Sequence, residues 1–152
     1  MQQPRKPKSK TRVSRRPRRA VCSSAPLGRL ESLFAAGYKR IACLDEVGRG
    51  ALIGDVVVCA VLLEPTEMLL PGIKDSKTLT EARRTEAYER IVSRYDCRVA
   101  HHTAKAIDEL NILQATMDAM LAALLAFHIL PDYVLIDGSY ISVAIRNAFP
   151  DR

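Results

Sequence analysis

A short apolar run that leads two adjacent carboxylates into a glycine turn constrains the fold of this chain more than any other feature. Residues 41–50 read IACLDEVGRG, so Asp45 and Glu46 follow a strand-like segment and precede a turn that holds two glycines and Arg49. Carboxylates at the end of a buried strand are costly unless a cationic side chain or a divalent metal compensates them. Exposed backbone N–H groups and a guanidinium suit phosphate and sugar. The segment predicts a metal site beside a nucleic-acid backbone.

A second apolar run ends in the same way. Tyr133–Ile136 is apolar on both faces and is followed by Asp137 and a glycine. A strand without alternation lies in the interior of a sheet, usually parallel to a neighbour, and ligands bind at the ends of such strands. We therefore expect Asp137 to meet Asp45 and Glu46 at one sheet edge, where carboxylates would hold Mg²⁺ or Mn²⁺.

This metal cluster depends on how the first strand ends. Neighbouring strand residues point to opposite faces, so Asp45 and Glu46 can share a site only if the backbone turns directly after them. The alternative is that Glu46 pairs with Arg49 and that Asp137 merely starts a turn. The residue pattern alone leaves both arrangements open.

The remaining patterns predict an α/β fold with a mixed sheet flanked by helices. Apolar and β-branched runs predict strands at 41–46, 55–63, 97–103 and 133–137, the second antiparallel to the first. Helical spacing of apolar residues predicts helices at 27–38, 78–95 and 107–128. The second helix should begin in a capping box, Thr78-Leu-Thr-Glu81. His101 and His102 would lie on opposite faces of a strand and cannot share one metal ion.

The positive charge of the chain lies in its first residues. Nine of the 23 Lys and Arg residues fall in 1–19, which holds none of the 17 acidic residues, so the remainder carries 14 basic against 17 acidic side chains. We predict a disordered basic arm over 1–26 and one domain over 27–152. The arm would attract nucleic acid electrostatically, or it is a solvated tail without a specific role.

Cysteine usage and hydropathy favour a cytoplasmic protein. The four cysteines form no C-x-x-C pair, which predicts reduced structural thiols instead of a zinc site or disulfide framework. No apolar run reaches the roughly 18–20 residues needed to span a bilayer, so we expect no membrane association. A charged start followed by an apolar secretion signal is also absent from the sequence.

Four motifs in order resemble the ribonuclease HII family (type 2 ribonuclease H). They are DEVGRG at 45–50, IKDSKTL at 73–79, DELNILQAT at 108–116 and DYVLIDG at 132–138. The resemblance implies a ribonuclease H-like fold with a five-stranded mixed sheet. It implies an endonuclease that hydrolyses RNA in RNA–DNA hybrids and cuts at ribonucleotides embedded in duplex DNA. The expected ends are 5′-phosphate and 3′-hydroxyl.

The resemblance also assigns roles to residues. Asp45, Glu46 and Asp137 fall on catalytic, metal-binding positions, with Mg²⁺ or Mn²⁺ as the cofactor. The turn Gly48-Arg49-Gly50 falls on the segment that reads the ribose 2′-hydroxyl. Four further residues lie in motifs near the hybrid backbone and are expected to bind substrate: Lys74, Ser76, Asn111 and Thr116.

The chain departs from the family pattern at several positions. Ala51, Ile53 and Asp55 stand where the family has small residues and proline, and Ser139 replaces a commoner asparagine. In the family a further strand, a fourth metal-binding carboxylate and a helix follow these motifs, so we expect a C-terminally incomplete domain. We then expect Val134-Leu135-Ile136 to form an exposed apolar edge, which invites aggregation or pairing with another chain. A complete protein is expected to be a monomer.

Two rival functions remain open. One is a catalytically inactive module that still binds hybrid through the arm and the glycine turn. The other is a carboxylate–metal hydrolase of small phosphoesters built on a similar sheet.

Overall fold

The computed structural model describes residues 20–23, 28–51, 53–66, 70–138 and 140–150, of which 20–23 and 28 are described by backbone alone. Within these residues five strands form one sheet: β1 (Ala20–Ser23), β2 (Ile41–Val47), β3 (Val56–Leu63), β4 (Asp96–His102) and β5 (Tyr133–Ile136). The same residues form five α-helices: α1 (Gly28–Ala35), α2 (Glu81–Arg94), α3 (Ala104–Leu110), α4 (Ile112–Leu125) and α5 (Val143–Ala148). The α/β class is confirmed.

The sheet is mixed, with the strand order β1-β5-β2-β3-β4. The strand β5 runs parallel to both β1 and β2, whereas β3 is antiparallel to β2 and to β4. All four residues of β5 are buried, which is the environment that an uninterrupted apolar run requires. The prediction of an interior parallel strand is confirmed, as is the antiparallel β2–β3 pair.

Helices cover both faces of the sheet and bury two separate cores. The larger core joins β-strand side chains such as Leu44, Val58 and Ile136 to α4 and α5. The smaller core lies on the opposite face, where Ile41 and Leu135 pack with residues of α1 and α2. Period-two alternation along β2 and β5 divides their side chains between these two cores.

The strand β1 corrects two expectations. Ala20–Ser23 falls within the segment predicted to be disordered, yet it pairs with the whole length of β5. As a result β5 lies between two strands and is not the exposed apolar edge that we predicted, because β1 satisfies the backbone groups on its open side. The rest of the predicted arm, 1–19 and 24–26, lies outside the described residues.

The helix predicted at 107–128 is two helices, because the chain breaks at Asn111. This residue has φ +67° and its side chain caps α4 by accepting from the Gln114 N–H at 3.1 Å. Asparagine tolerates the left-handed region and caps helices well, so both features suit it. The cap of α2 is also displaced: Thr80 accepts from the Arg83 N–H, whereas Thr78 lies in a preceding 3₁₀ turn.

The described cysteines are free thiols, as the sequence predicts. Cys43, Cys59 and Cys97 lie on three neighbouring strands and are half-buried. Burial raises the pKa of the Cys43 and Cys97 thiols to about 11, which keeps them protonated near neutral pH. Among the described residues we find no helix long and apolar enough to cross a membrane.

Candidate functional site

Two of the predicted acidic residues are neighbours across adjacent strands, Asp45 near the end of β2 and Asp137 directly after β5. Leu44 of β2 pairs in parallel with Ile136 of β5, and the Asp137 N–H donates to the Leu44 carbonyl oxygen at 3.3 Å. Asp45 and Asp137 each follow a member of that pair, so their backbones are neighbours. Both side chains are exposed. The structure therefore brings Asp45 and Asp137 together, as the two strand ends predicted.

Alternation also places these two residues on one face. Leu44 and Ile136 belong to the core beneath α4, whereas Ile41 and Leu135 belong to the core beneath α1 and α2. Asp45 has the same parity as Ile41, and the pattern carried one residue past β5 gives Asp137 the same face. The two carboxylates can therefore approach a common ligand.

Glu46 is placed differently, because β2 does not end there. The strand continues through Val47, which pairs with Val57, so Glu46 keeps the face opposite to Asp45. Its Oε1 accepts from Nη1 of Arg49 at 3.0 Å, and only 14% of its side chain is exposed. The condition for a three-carboxylate cluster, a turn directly after Glu46, is not met.

No metal cluster is assembled as a result. Within the described part of the chain, no three His, Cys, Asp or Glu side chains are grouped so as to hold an ion. The Asp45 carboxylate instead accepts the Glu46 N–H at 2.8 Å. The expected meeting of Asp45, Glu46 and Asp137 is thus corrected to a neighbouring pair, with the third acid held by Arg49.

The glycine turn that follows β2 requires glycine at one position. Gly48 has φ +100°, and a Cβ there would collide with the carbonyl oxygen of Asp55. Gly50 differs, since a Cβ there would meet nothing within 4 Å. The Ala51 N–H donates to the Gly48 carbonyl oxygen at 3.1 Å and closes the turn. Gly48 therefore allows the turn to lie directly against the start of β3.

A small cleft separates this turn from α3. It has a volume of about 250 Å³, and its lining includes Gly48, Arg49, Asp108 and three isoleucines, Ile53, Ile107 and Ile112. A guanidinium and apolar side chains together suit a sugar and its phosphate. The predicted turn residues Gly48 and Arg49 thus border a concave surface.

Lys74 and Ser76 line a larger cleft of about 640 Å³ between α2 and the sheet. Cys59 lies in the same lining, and it pairs with Asp45 across the β2–β3 ladder. Because cross-strand partners point to the same face, this loop lies over the face that carries Asp45. Lys74 and Ser76 are exposed, so both can reach a ligand on that side.

Two predicted substrate-binding residues, Asn111 and Thr116, stabilise the start of α4. Thr116 is fully buried, and its hydroxyl donates to the Ile112 carbonyl oxygen at 2.7 Å. It does not reach a surface and can affect binding only through α4. Asn111 is exposed but caps α4 with its side chain. Both therefore shape the helix junction that faces the glycine turn.

Sequence reasoning missed one polar pair beside the turn. Nδ1 of His101 lies 3.1 Å from Oδ2 of Asp55, and Asp55 is the residue against which Gly48 packs. His102 points the other way, 3.6 Å from Asp118 of α4. Strand alternation predicted that the two histidines separate. Cross-strand register, which would have exposed the Asp55–His101 pair, cannot be read from one strand.

Comparison with known proteins places these features in one family. The model of the family "Ribonuclease HII" matches residues 42–149. Ribonuclease HII proteins from the Classical Ogawa 395 and El Tor Inaba N16961 strains of Vibrio cholerae serotype O1 are each 49% identical over 107 residues. That alignment covers 70% of this chain and 52% of each relative, so the chain spans about half the length of these curated relatives.

Solved structures show the same fold. The ribonuclease H2 from Pyrococcus horikoshii OT3 aligns with a TM-score of 0.62 at 24% identity, over 73% of this chain and 58% of that one. A single-substitution mutant of Bst-RNase HIII aligns with a TM-score of 0.52 at 20% identity, over 76% of this chain and 42% of its own. The ribonuclease H-like arrangement of strands and helices expected from the motifs is confirmed.

Proposed function

We propose, since this chain belongs to the ribonuclease HII family, that it takes part in hydrolysis of RNA paired with DNA. The substrates would be RNA–DNA hybrids and DNA duplexes with embedded ribonucleotides, cut endonucleolytically to leave 5′-phosphate and 3′-hydroxyl ends. The observation that carries this proposal is the adjacency of Asp45 and Asp137, fixed by the Asp137 N–H to Leu44 carbonyl bond at 3.3 Å.

The residues at this edge fit a hard divalent cation. Asp45 and Asp137 are exposed neighbours, and carboxylate oxygens are the donors that Mg²⁺ and Mn²⁺ prefer. Glu46 would join them only if its carboxylate exchanged Arg49 for the ion. A cation held here would supply a polarised water and charge stabilisation for the departing 3′ oxygen. The fixed spacing of the two adjacent strands would orient the phosphate to be cut.

Substrate choice would come from the glycine turn. Gly48 lets the backbone pass close to a sugar, and the only group that separates RNA from DNA there is the 2′-hydroxyl. Arg49 would move from Glu46 toward the phosphate as the substrate enters, because a guanidinium binds phosphate well. Lys74 and Ser76 would contact the backbone from the face that carries Asp45. Such contacts read no base edges, so cleavage should not depend on base sequence.

The observed ion pair favours a second candidate, a module that binds hybrid without cutting it. Arg49 neutralises Glu46 at 3.0 Å, and the described residues hold no assembled metal cluster. In that case the glycine turn would still recognise the ribose, while the two remaining acids would hold an ion weakly. The two candidates differ in cleavage and agree in binding.

A cleavage assay separates them. The substrate is a DNA duplex with one ribonucleotide in a labelled strand, incubated with the chain in Mg²⁺ or Mn²⁺ and resolved on a denaturing gel. Metal-dependent cutting at the ribonucleotide, lost in Asp137→Asn, supports the nuclease. Binding without cutting supports the module. Release of phosphate from a small phosphoester, without action on the duplex, would point to the phosphoester hydrolase instead.

We further infer a cytoplasmic setting and a monomeric state. The free thiols of Cys43, Cys59 and Cys97 support the setting, because such thiols persist in reducing compartments.

A further inference from the structure

The glycine turn packs against Asp55, the residue that precedes β3. Gly48 lies so close to the Asp55 carbonyl oxygen that a Cβ at Gly48 would overlap it. The β3–β4 ladder begins one residue later, at the Val56–His102 pair. Asp55 is therefore outside the regular ladder, although its backbone supports the turn. A contact made by its side chain can therefore restrain it further.

The Asp55 side chain supplies that additional restraint. Its Oδ2 lies 3.1 Å from Nδ1 of His101 on β4. An ionised carboxylate only accepts hydrogen bonds, so Nδ1 of His101 carries the proton and donates. The bond joins the residue before β3 to His101, which pairs with Val57 within the ladder. Both side chains are largely exposed, 59% for His101 and 43% for Asp55, so the bond is a modest restraint and not a core contact.

We propose that Asp55 and His101 are positioning residues, which hold the backbone beneath Gly48 and thereby set how well the turn distinguishes ribose from deoxyribose. This inference rests on the proposed function of the turn. Neither residue touches the substrate in this account. They act on the backbone amides of Gly48-Arg49-Gly50, whose distance from a sugar decides whether a 2′-hydroxyl is bound or ignored.

The chain contains a matched control one residue away. His102 also faces a carboxylate, that of Asp118, at 3.6 Å. That pair links β4 to α4 on the opposite face of the sheet and has no contact with the glycine turn among those described. A substitution at His102 removes the same kind of side chain from the same strand. Its effect measures the general consequence of losing a histidine from β4.

The test is the ratio of two affinities, measured by fluorescence anisotropy without divalent metal so that no strand is cut. One ligand is a DNA duplex with a single ribonucleotide, and the other is the same duplex in all-DNA form. We expect Asp55→Ala and His101→Ala each to lower the ribose preference about two- to fivefold, the effect of one exposed hydrogen-bonded pair. Asp55→Asn, whose amide oxygen still accepts from Nδ1–H, should keep the preference.

The His102 control distinguishes the possible outcomes of this test. His102→Ala should leave the ratio unchanged. The inference is overturned if Asp55→Ala and His101→Ala keep the wild-type ratio, or if His102→Ala lowers it equally. A wild-type chain without any ribose preference would instead overturn the proposed function of the turn.

Hydrogen exchange then tests the positioning independently of any ligand. The amides of Gly48, Arg49 and Gly50 should exchange faster in Asp55→Ala than in wild type or His102→Ala. Equal exchange in all three proteins would show that the pair does not restrain the turn.

Discussion

The carboxylate of Glu46 accepts a hydrogen bond from the Arg49 guanidinium, with 3.0 Å between Oε1 and Nη1. An internal cation thus occupies the acid that the motif resemblance assigns to a metal. The pair follows from the length of β2, which continues through Val47 and keeps Glu46 away from the face of Asp45. An ion that Glu46 joined would therefore compete with Arg49 for one carboxylate.

Removing this competitor should strengthen metal binding. In Arg49→Ala the Glu46 carboxylate loses its partner, so we expect Mn²⁺ to bind about two- to fivefold more tightly, the range for one partly exposed ion pair. Isothermal titration calorimetry measures this directly. Arg83→Ala is the control, because Arg83 pairs with Glu86 at the same i,i+3 spacing on α2. Weaker Mn²⁺ binding in Arg49→Ala than in that control would refute the competition.

The two glycines of the turn should respond differently to alanine. Gly48→Ala places a Cβ against the Asp55 carbonyl at φ +100°, so we expect a loss of about 1–3 kcal/mol in the free energy of unfolding, typical of a left-handed non-glycine residue. Gly50→Ala meets nothing within 4 Å and should stay within about 0.5 kcal/mol of wild type. Urea denaturation distinguishes them. Equal stability of the two variants would mean that the turn does not rest on Asp55.

The last helix should be part of the core. Phe149, which follows α5, is completely buried in the larger core. Phe149→Ala should therefore lower the free energy of unfolding by about 3–5 kcal/mol. Val143→Ala on the same helix removes a side chain that is 69% exposed and should change it by less than about 0.5 kcal/mol. Thermal unfolding of both variants measures this, and a stable Phe149→Ala protein would contradict the docking of α5.

The strand β1 should keep the chain from aggregating. A variant that begins at Ala20 retains the partner of β5, whereas one that begins at Ser24 leaves the four buried residues of β5 with an open edge. Ala20–Ser23 carries no charge, so the two variants have the same net charge. We expect only the shorter one to aggregate, as measured by light scattering and size-exclusion chromatography. Equal aggregation of the two variants would show that β1 does not protect the edge of β5.

The local residue pattern predicted most strands of the sheet. It did not predict the features that depend on pairing between distant segments of the chain. Apolar runs identified β2, β3 and β5 because burial dictates their composition. Ala20–Ser23 lacked such a signal. This four-residue edge strand forms because its backbone pairs with the open side of Tyr133–Ile136. The break at Asn111 was hidden because apolar spacing continues across it. Only the φ of +67° at Asn111 separates α3 from α4.

The arrangement of the candidate site was also predictable only in part. The adjacency of Asp45 and Asp137 follows from two strand ends and a parallel register, which the sequence indicated. The face on which Glu46 lies depends on whether β2 includes one further residue, Val47. Composition does not define the end of a strand to within one residue. Predicting the Asp55–His101 pair requires the β3–β4 register, which cannot be read from one segment of the sequence.

The central claim is that Asp45 and Asp137 hold one divalent ion together, and a double-mutant cycle on Mn²⁺ affinity tests it most directly. Electron paramagnetic resonance of free Mn²⁺ gives the dissociation constant for wild type, Asp45→Asn, Asp137→Asn and the double variant. We predict that each single substitution weakens binding about tenfold or more, and that the double variant is little worse than either, because both remove the same site. Additive losses, or wild-type affinity in Asp137→Asn, would contradict a shared ion.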